Sequence, residues 1–227
     1  MGARARRIVK EPEERKAEIL DVAEALFQTK GYEATTTGDI LAKAGIARGT
    51  LYYHFKSKDE IMNAVIERNI ERQIQSLSPL LNDTSLNALE KLQRILSQNA
   101  AMNVENEEML DYLHKPENSI MHQKSLVLAV RQAAPLLAQM IRQGIAEGVF
   151  HTAYPLELAE YLMVGMNFLF DPSIFPWSRE EYLLRMETLA DVLETTLRAE
   201  RGSFAFLKEL AQTEMDLKDA AQKARRR

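Results

Sequence analysis

Between positions 48 and 58 the chain sets Arg48, Thr50, Tyr52, Tyr53, His54, Lys56 and Lys58 around two residues that clearly need a core, Leu51 and Phe55. Leu51 and Phe55 stand at i and i+4, so they share one helix face and turn the others outward. Guanidinium, hydroxyl, phenol, imidazole and ammonium groups on one short face are the donors that phosphate oxygens and base edges of a nucleic acid accept from. Gly49 lies among them and places no side chain between the backbone and an approaching partner. Each of these residues alone is more often a packed or solvated side chain. Their ordered set favours a nucleic-acid face.

The flanking residues carry the signals needed to hold such a face. Thr36 is followed three residues later by Asp39, a hydroxyl and carboxylate pair that satisfies free N–H groups at a helix start, so a helix begins near Thr37. Ile40, Leu41 and Ala44 share a face, and Gly45 ends the helix after about two turns. Ile46 is apolar within the turn, and Ala47-Arg48-Gly49-Thr50 opens the next helix. Ser57 and Glu60 repeat the capping pattern, so a third helix starts directly after Phe55 and Lys56. Upstream, Pro12 suits a first helical turn, and Ile19, Val22, Ala23, Leu26 and Phe27 follow at helical spacing until Gly31. Two short helices joined by a glycine turn and supported by a longer one form a helix-turn-helix layout.

Residues 35 to 60, TTTGDILAKAGIARGTLYYHFKSKDE, resemble the DNA-binding domain of tetracycline repressor (TetR)-type transcriptional regulators, whose recognition segment commonly reads like GTLYYHFKSKDE. The resemblance covers residues 12 to 60. It departs at Ala47, where the family often has a serine that caps the recognition helix. The resemblance implies that Thr37 contacts phosphate and that Arg48, Gly49 and Thr50 face base edges. It further implies that Tyr52, Tyr53 and His54 lie along the groove and that Lys58 holds a phosphate. Arg48 is the expected base reader, because a guanidinium can donate to guanine O6 and N7 together, worth about 1–3 kcal/mol of discrimination.

Composition sets bounds around this reading. The 227 residues are 46% hydrophobic, enough for a substantial core, and lack cysteine, which excludes disulfide frameworks and thiolate metal sites. The net charge of −4 argues against nucleic acid only until it is divided along the chain. Residues 1–60 hold 11 Lys and Arg against 10 Asp and Glu; residues 61–227 hold 18 against 23. Affinity for DNA must then come from a local patch, which dimerisation would double. Residues 1–11, with Arg4, Arg6, Arg7 and Lys10, read as a basic arm able to enter a minor groove or to remain solvated. No apolar core follows those charges as a secretory signal requires, and a cytoplasmic location is expected.

Beyond residue 60 the pattern is helix after helix. Apolar residues from Ile61 to Leu77 mark a long connector stopping before Pro79, and Leu86 to Ala100 mark the next helix. A short helix is expected between Val104 and His114. Residues 119 to 147 form another run broken or kinked at Pro135 and closed by Gly148. Tyr161 to Phe170 is apolar all round except Asn167, so it must be covered on every side by core, ligand or a partner subunit. It is too short to span a bilayer, which needs about 20 residues, and no membrane partner is expected. Ser178 and Glu181 cap a helix carrying Tyr182, Leu183, Met186, Leu189, Ala190, Leu193 and Leu197, with the spacing of a packing seam. The family resemblance implies a homodimer through 155–170 and 178–199. A last helix is expected from Ser203, fading into charge.

The fold expected is all-α, with about nine or ten helices. A basic arm at 1–11 precedes a three-helix, helix-turn-helix DNA-binding domain at 12–60 and a larger helical effector-binding and dimerisation domain at 61–227. For a largely apolar small-molecule effector, lining residues would come from Met102, Met109, Tyr112, Met121, Met140, Met163, Met166, Asn167 and Phe168, each of which also suits an ordinary core. No cofactor and no metal site is expected: His114 and His122 share no evident face with Glu107 or Glu108. The function expected is that of a sequence-specific transcriptional regulator, a repressor that a small molecule releases from an inverted-repeat DNA operator. The alternatives are an all-helical enzyme using His114, His122, Glu107 or Asp171 in acid-base work, or a helical interaction protein without DNA binding. No nucleophile or phosphate loop supports an enzyme.

Overall fold

The computed structural model describes residues 11–105 and 114–225, and within them every regular element is helical. The helices are α1 (Pro12–Lys30), α2 (Thr37–Ala44), α3 (Arg48–His54), α4 (Lys58–Leu81), α5 (Ala88–Glu105), α6 (Ser119–Ala146), α7 (Pro155–Leu169), α8 (Arg179–Leu197) and α9 (Phe206–Arg225), with a 3-10 turn at Pro116–Asn118 before α6. Residues 1–10 of the basic arm, most of the short helix expected before His114, and Met109 and Tyr112 lie outside the described residues.

Two hydrophobic cores organise the molecule. The first gathers Ile19, Ala23 and Phe27 of α1, Ile40 of α2, Leu51 and Phe55 from α3 and its end, and Ile61 to Ile70 of α4. The second is built from Leu77, Leu92, Ile95, Ala138, Ile141, Phe150, Leu193, Leu197, Phe204 and Leu207, with others around them. α4 contributes to both cores and is the expected mechanical connector. α6 does the same: Met121, Leu128 and Ala129 pack on the first core, while Ala134, Ala138 and Ile141 are buried in the second.

Several helix limits differ from the sequence expectation for local reasons. α4 does not stop before Pro79 but runs to Leu81, because the proline sits in the last turn with its ring exposed, and Asn82 N–H still donates to Ser78 O at 3.0 Å. α6 likewise continues through Pro135, whose ring faces solvent while Ala134 and Ala138 are buried. The last helix starts at Phe206 rather than Ser203. Glu194 Oε1 accepts from Gly202 N–H at 2.8 Å and Phe204 N–H at 3.2 Å, which holds a turn there and presses Phe204 into the core. After α6, Val149 N–H and Phe150 N–H both donate to Gly144 O at 2.9 and 3.1 Å, folding the Phe150 ring onto Gly144. A Cβ at Gly144 would stand 2.1 Å from that ring, so the close approach requires glycine.

Candidate nucleic-acid interface

The reading helix is positioned from three sides. On the first, Thr36 and Asp39 form a full capping box: Asp39 N–H donates to Thr36 Oγ1 at 3.1 Å and Thr36 N–H donates to Asp39 Oδ2 at 2.8 Å. Lys30 of α1 reaches the same carboxylate at 2.7 Å, and this ammonium, together with the Thr36 donors, holds the Asp39 carboxyl well below the usual carboxylate range. Gly45 then takes the left-handed conformation (φ 63°) that turns the chain toward α3. On the second side, Leu51 and Phe55 are 1% and 2% exposed and anchor α3 in the first core. On the third, Ser57 Oγ accepts from Glu60 N–H at 3.1 Å and starts α4 directly behind.

What remains outward is the predicted face. Arg48 and Gly49 are exposed, Thr50, Tyr52 and His54 are half-buried, and Tyr53 is 72% exposed. Nothing lies within 4 Å of a Cβ placed on Gly49. The Arg48 guanidinium rests 5.4 Å from the Tyr52 ring centre, and Tyr53 and His54 meet edge to face at 5.0 Å. Such contacts align the aromatic stems while leaving the polar ends free for a partner. Ala47 makes no side-chain cap, as its type requires. Thr37 is half-buried at the first position of α2.

Lys58 is placed differently from the others. Its ammonium donates to the carbonyls of Tyr32 at 2.9 Å and Glu33 at 3.2 Å and lies 4.3 Å from the Tyr32 ring centre. An ammonium has three donors, so these two carbonyls use two of them. Tyr32 is itself tied: its hydroxyl donates to Asp59, and its N–H donates to Asn118 Oδ1 at 2.8 Å. Burial and Asp59 together push the Tyr32 phenol above its usual range. Lys124 of α6 also approaches Asp59, at 3.6 Å. Arg68 of α4 closes the opposite side through Asp21 at 2.7 Å and Glu24 at 2.6 Å. No sequence spacing announces these links, since each joins residues from separate elements.

Among the described residues, those considered for an effector are distributed over both cores and the surface of α7. Met121 packs on the first core, Met140 and Met163 belong to the second, and Met102 Sδ lies 3.8 Å from Ser76 Oγ on α4. Phe168 is 52% exposed and meets Phe175 edge to face. Met166 and Asn167 are half-buried on α7. A cleft of about 210 Å³ opens elsewhere, between the start of α5, residues 148–151 and residues 198–203, and none of these candidates lines it. Asn99 of α5, which periodicity does not single out, has a buried side-chain oxygen without a hydrogen-bond partner.

His114 and His122, which showed no common face in the sequence, stand side by side with ring centres 4.8 Å apart. Their neighbour is Asp171 after α7; Glu107 and Glu108 lie outside the described residues. Burial pushes the His122 imidazole below its usual range, outweighing the opposite pull of Asp171.

A short helix anchored by buried Leu51 and Phe55, with exposed Arg48 and Tyr53 beside half-buried Thr50, Tyr52 and His54, has the form of a helix-turn-helix reader of DNA. The model of the tetR family of bacterial regulatory proteins matches residues 19–65, and that of the tetracyclin repressor-like C-terminal domain matches residues 100–192. The chain belongs to this family and is a DNA-binding transcriptional regulator, not an enzyme. It is 26% identical over 160 residues to the HTH-type transcriptional repressor KstR2 of Mycobacterium tuberculosis, covering 67% of this chain and 77% of that one. Over 119 residues it is 31% identical to the HTH-type transcriptional regulator TtgR of Pseudomonas putida, covering 52% and 54%. Among solved structures, SmeT, the repressor of the Stenotrophomonas maltophilia multidrug efflux pump SmeDEF, is 25% identical with a TM-score of 0.59, over 83% of this chain and 92% of that one. SmeT has also been solved as a triclosan complex.

Proposed function

We propose that this protein is a homodimeric repressor that holds an inverted-repeat operator and releases it when a small, largely apolar molecule enters the second helical unit. The observation that carries this reading is the α3 face, where Arg48, Gly49 and Tyr53 stand exposed over a fully buried Leu51 and Phe55. In this reading Arg48, Gly49 and Thr50 meet base edges, Tyr52, Tyr53 and His54 follow the groove, and Thr37 and the remaining donor of Lys58 hold phosphates. The basic arm at 1–11, the reading head at 12–60 and the effector and dimer unit at 61–227 divide the work.

Support for the dimer comes from α7 and α8. On α7, Tyr161, Val164 and Phe168 are 80%, 55% and 52% exposed at i, i+3 and i+7; on α8, Leu184 and Val192 are also exposed. An apolar stripe of this kind is stabilised by a second copy laid against it. For the effector, the unpartnered Asn99 oxygen and half-buried Asn167 are the polar groups a ligand would address, since an unsatisfied buried acceptor costs about 1–3 kcal/mol that a donor recovers. Bound effector would favour a state whose two reading helices no longer match adjacent major grooves. Among the described residues no helix is long and apolar enough to cross a membrane, and a cytoplasmic setting suits contact with operator DNA.

The test is fluorescence anisotropy with DNA from upstream of the protein's own reading frame. Six or more phosphate contacts predict that affinity falls about 10³-fold or more between 50 and 200 mM salt. Arg48→Ala should lower discrimination against a base change in the half-site by about 1–3 kcal/mol. A salt-independent interaction, or unchanged discrimination in Arg48→Ala, would remove α3 as the reader.

A further inference from the structure

We infer that His114, His122 and Asp171 form a binding site for a divalent transition-metal ion of the zinc type. Each offers one ligand atom, and the three atoms lie within 4.8 Å of one another. The Asp171 side chain is 2% exposed. Its Oδ1 accepts from Ser173 N–H at 2.8 Å and from the Ser173 hydroxyl at 2.6 Å, which fixes the carboxylate plane. Its Oδ2 is buried without a hydrogen bond, although His122 Nε2 stands 3.2 Å away; the His114 Nε2 approaches Oδ1 at 3.8 Å. A buried carboxylate oxygen that stands beside an imidazole nitrogen without accepting a hydrogen bond, with a second imidazole against the other oxygen, is an energetically poor arrangement for protein alone. A cation between them resolves it, because all three atoms become ligands at once.

The donor set fits that chemistry. Two imidazoles and one carboxylate are a recurring ligand set for zinc and for ferrous iron, leaving a position for water or another oxygen donor. Bonds of about 2.0–2.1 Å in tetrahedral geometry put ligand atoms roughly 3.3 Å apart. The His122 and Asp171 atoms already meet this spacing, and the widest pair in the cluster needs to close by about 1.5 Å. His114 lies in a turn, outside α6, so it can supply that movement. Ser173, holding Oδ1, plays the outer-shell part that orients a ligating carboxylate.

The site also joins two parts of the molecule. His122 lies in the stretch of α6 whose neighbours Met121 and Lys124 touch the first core and Asp59, and Asn118 just before it holds Tyr32 N–H. Asp171 lies just beyond α7, which carries the exposed apolar stripe. An ion there ties the end of α7 to the segment that supports the reading head. This regulatory consequence rests on the DNA-reading function proposed above; the ion site itself does not.

The experiment uses the full chain after chelator treatment and dialysis. Titration with zinc chloride should show one ion per chain, and cobalt(II) should give a visible absorption band of a low-symmetry nitrogen and oxygen site. His114→Gln and Asp171→Asn should each weaken zinc at least tenfold and remove the cobalt band. His114→Gln alters a turn residue, and its melting curve without metal should match the wild type, which separates lost ligation from misfolding. Adventitious ions only, or stoichiometric binding that survives both variants, would overturn the site. Operator affinity is read separately: zinc should change that of the wild type at least about fivefold and leave that of His114→Gln unchanged. If the wild type binds zinc and its operator affinity is unmoved, the link to the reading head is overturned; if no operator is bound with or without zinc, the DNA-reading proposal fails and the metal titration still decides the site.

Discussion

Arg48 and Lys58 carry the same charge ten residues apart, yet the structure gives them different duties. Arg48 is exposed and lies over the face of Tyr52, so its removal should leave stability within about 0.5 kcal/mol and act on base preference. Lys58 donates to two carbonyls of the loop that follows α1 and sits over Tyr32. Lys58→Ala is therefore expected to lower stability by about 1–2 kcal/mol as well as weakening all DNA about equally. A thermal melt beside a binding titration checks this; a variant that loses affinity with an unchanged melt would return Lys58 to a purely phosphate-holding role. Nothing in the local sequence separates the two residues, because the carbonyls of Tyr32 and Glu33 lie some 25 positions upstream.

At the scale of elements, the short helices were the most legible, because their start and stop signals are local. Thr36 with Asp39, Ser57 with Glu60 and Ser178 with Glu181 all cap the helices they predict, since each pair needs only its own turn of backbone. Proline was less informative. Pro79 and Pro135 both lie inside helices: each forgoes one backbone hydrogen bond, while its ring projects to solvent and packing holds the flanking turns. Glycine at 144 proved to be a packing requirement of α6. Gly144→Ala should destabilise by about 1–3 kcal/mol, visible as a lower urea midpoint, because the new methyl group collides with the buried Phe150 ring. An unchanged midpoint would show that the ring can move aside.

For the whole molecule, the proposed dimer makes the distance between its two reading helices the relevant one. A single copy is close to neutral over residues 1–60 and presents one small polar face, so the proposed pairing of two copies would raise affinity well above that of one. Val164→Glu combined with Phe168→Glu changes only exposed positions of α7 and should leave the fold intact while giving a monomer by light scattering at micromolar concentration. Operator affinity should then fall about 10²-fold or more. A dimer that persists would place the seam on another surface. In the proposed response to an effector, the links through Tyr32, Asp59, Asn118 and Lys124 would carry a change from α6 to the first core, on which α6 packs.

The sequence by itself determined the helices around 36–60, the residues that α3 must bury and those it can show, and the family. These depend on spacing within one or two turns, where i and i+4 neighbours and capping pairs are fixed by the geometry of the helix. Only the tertiary structure decided that Lys58 braces a loop, that Met121 packs on the first core while Met140 and Met163 join the second, and that His114 and His122 meet at a buried Asp171. In each case the partners are brought together by helix packing around the two cores. Packing depends on the summed burial of many side chains, which no local pattern of residues records.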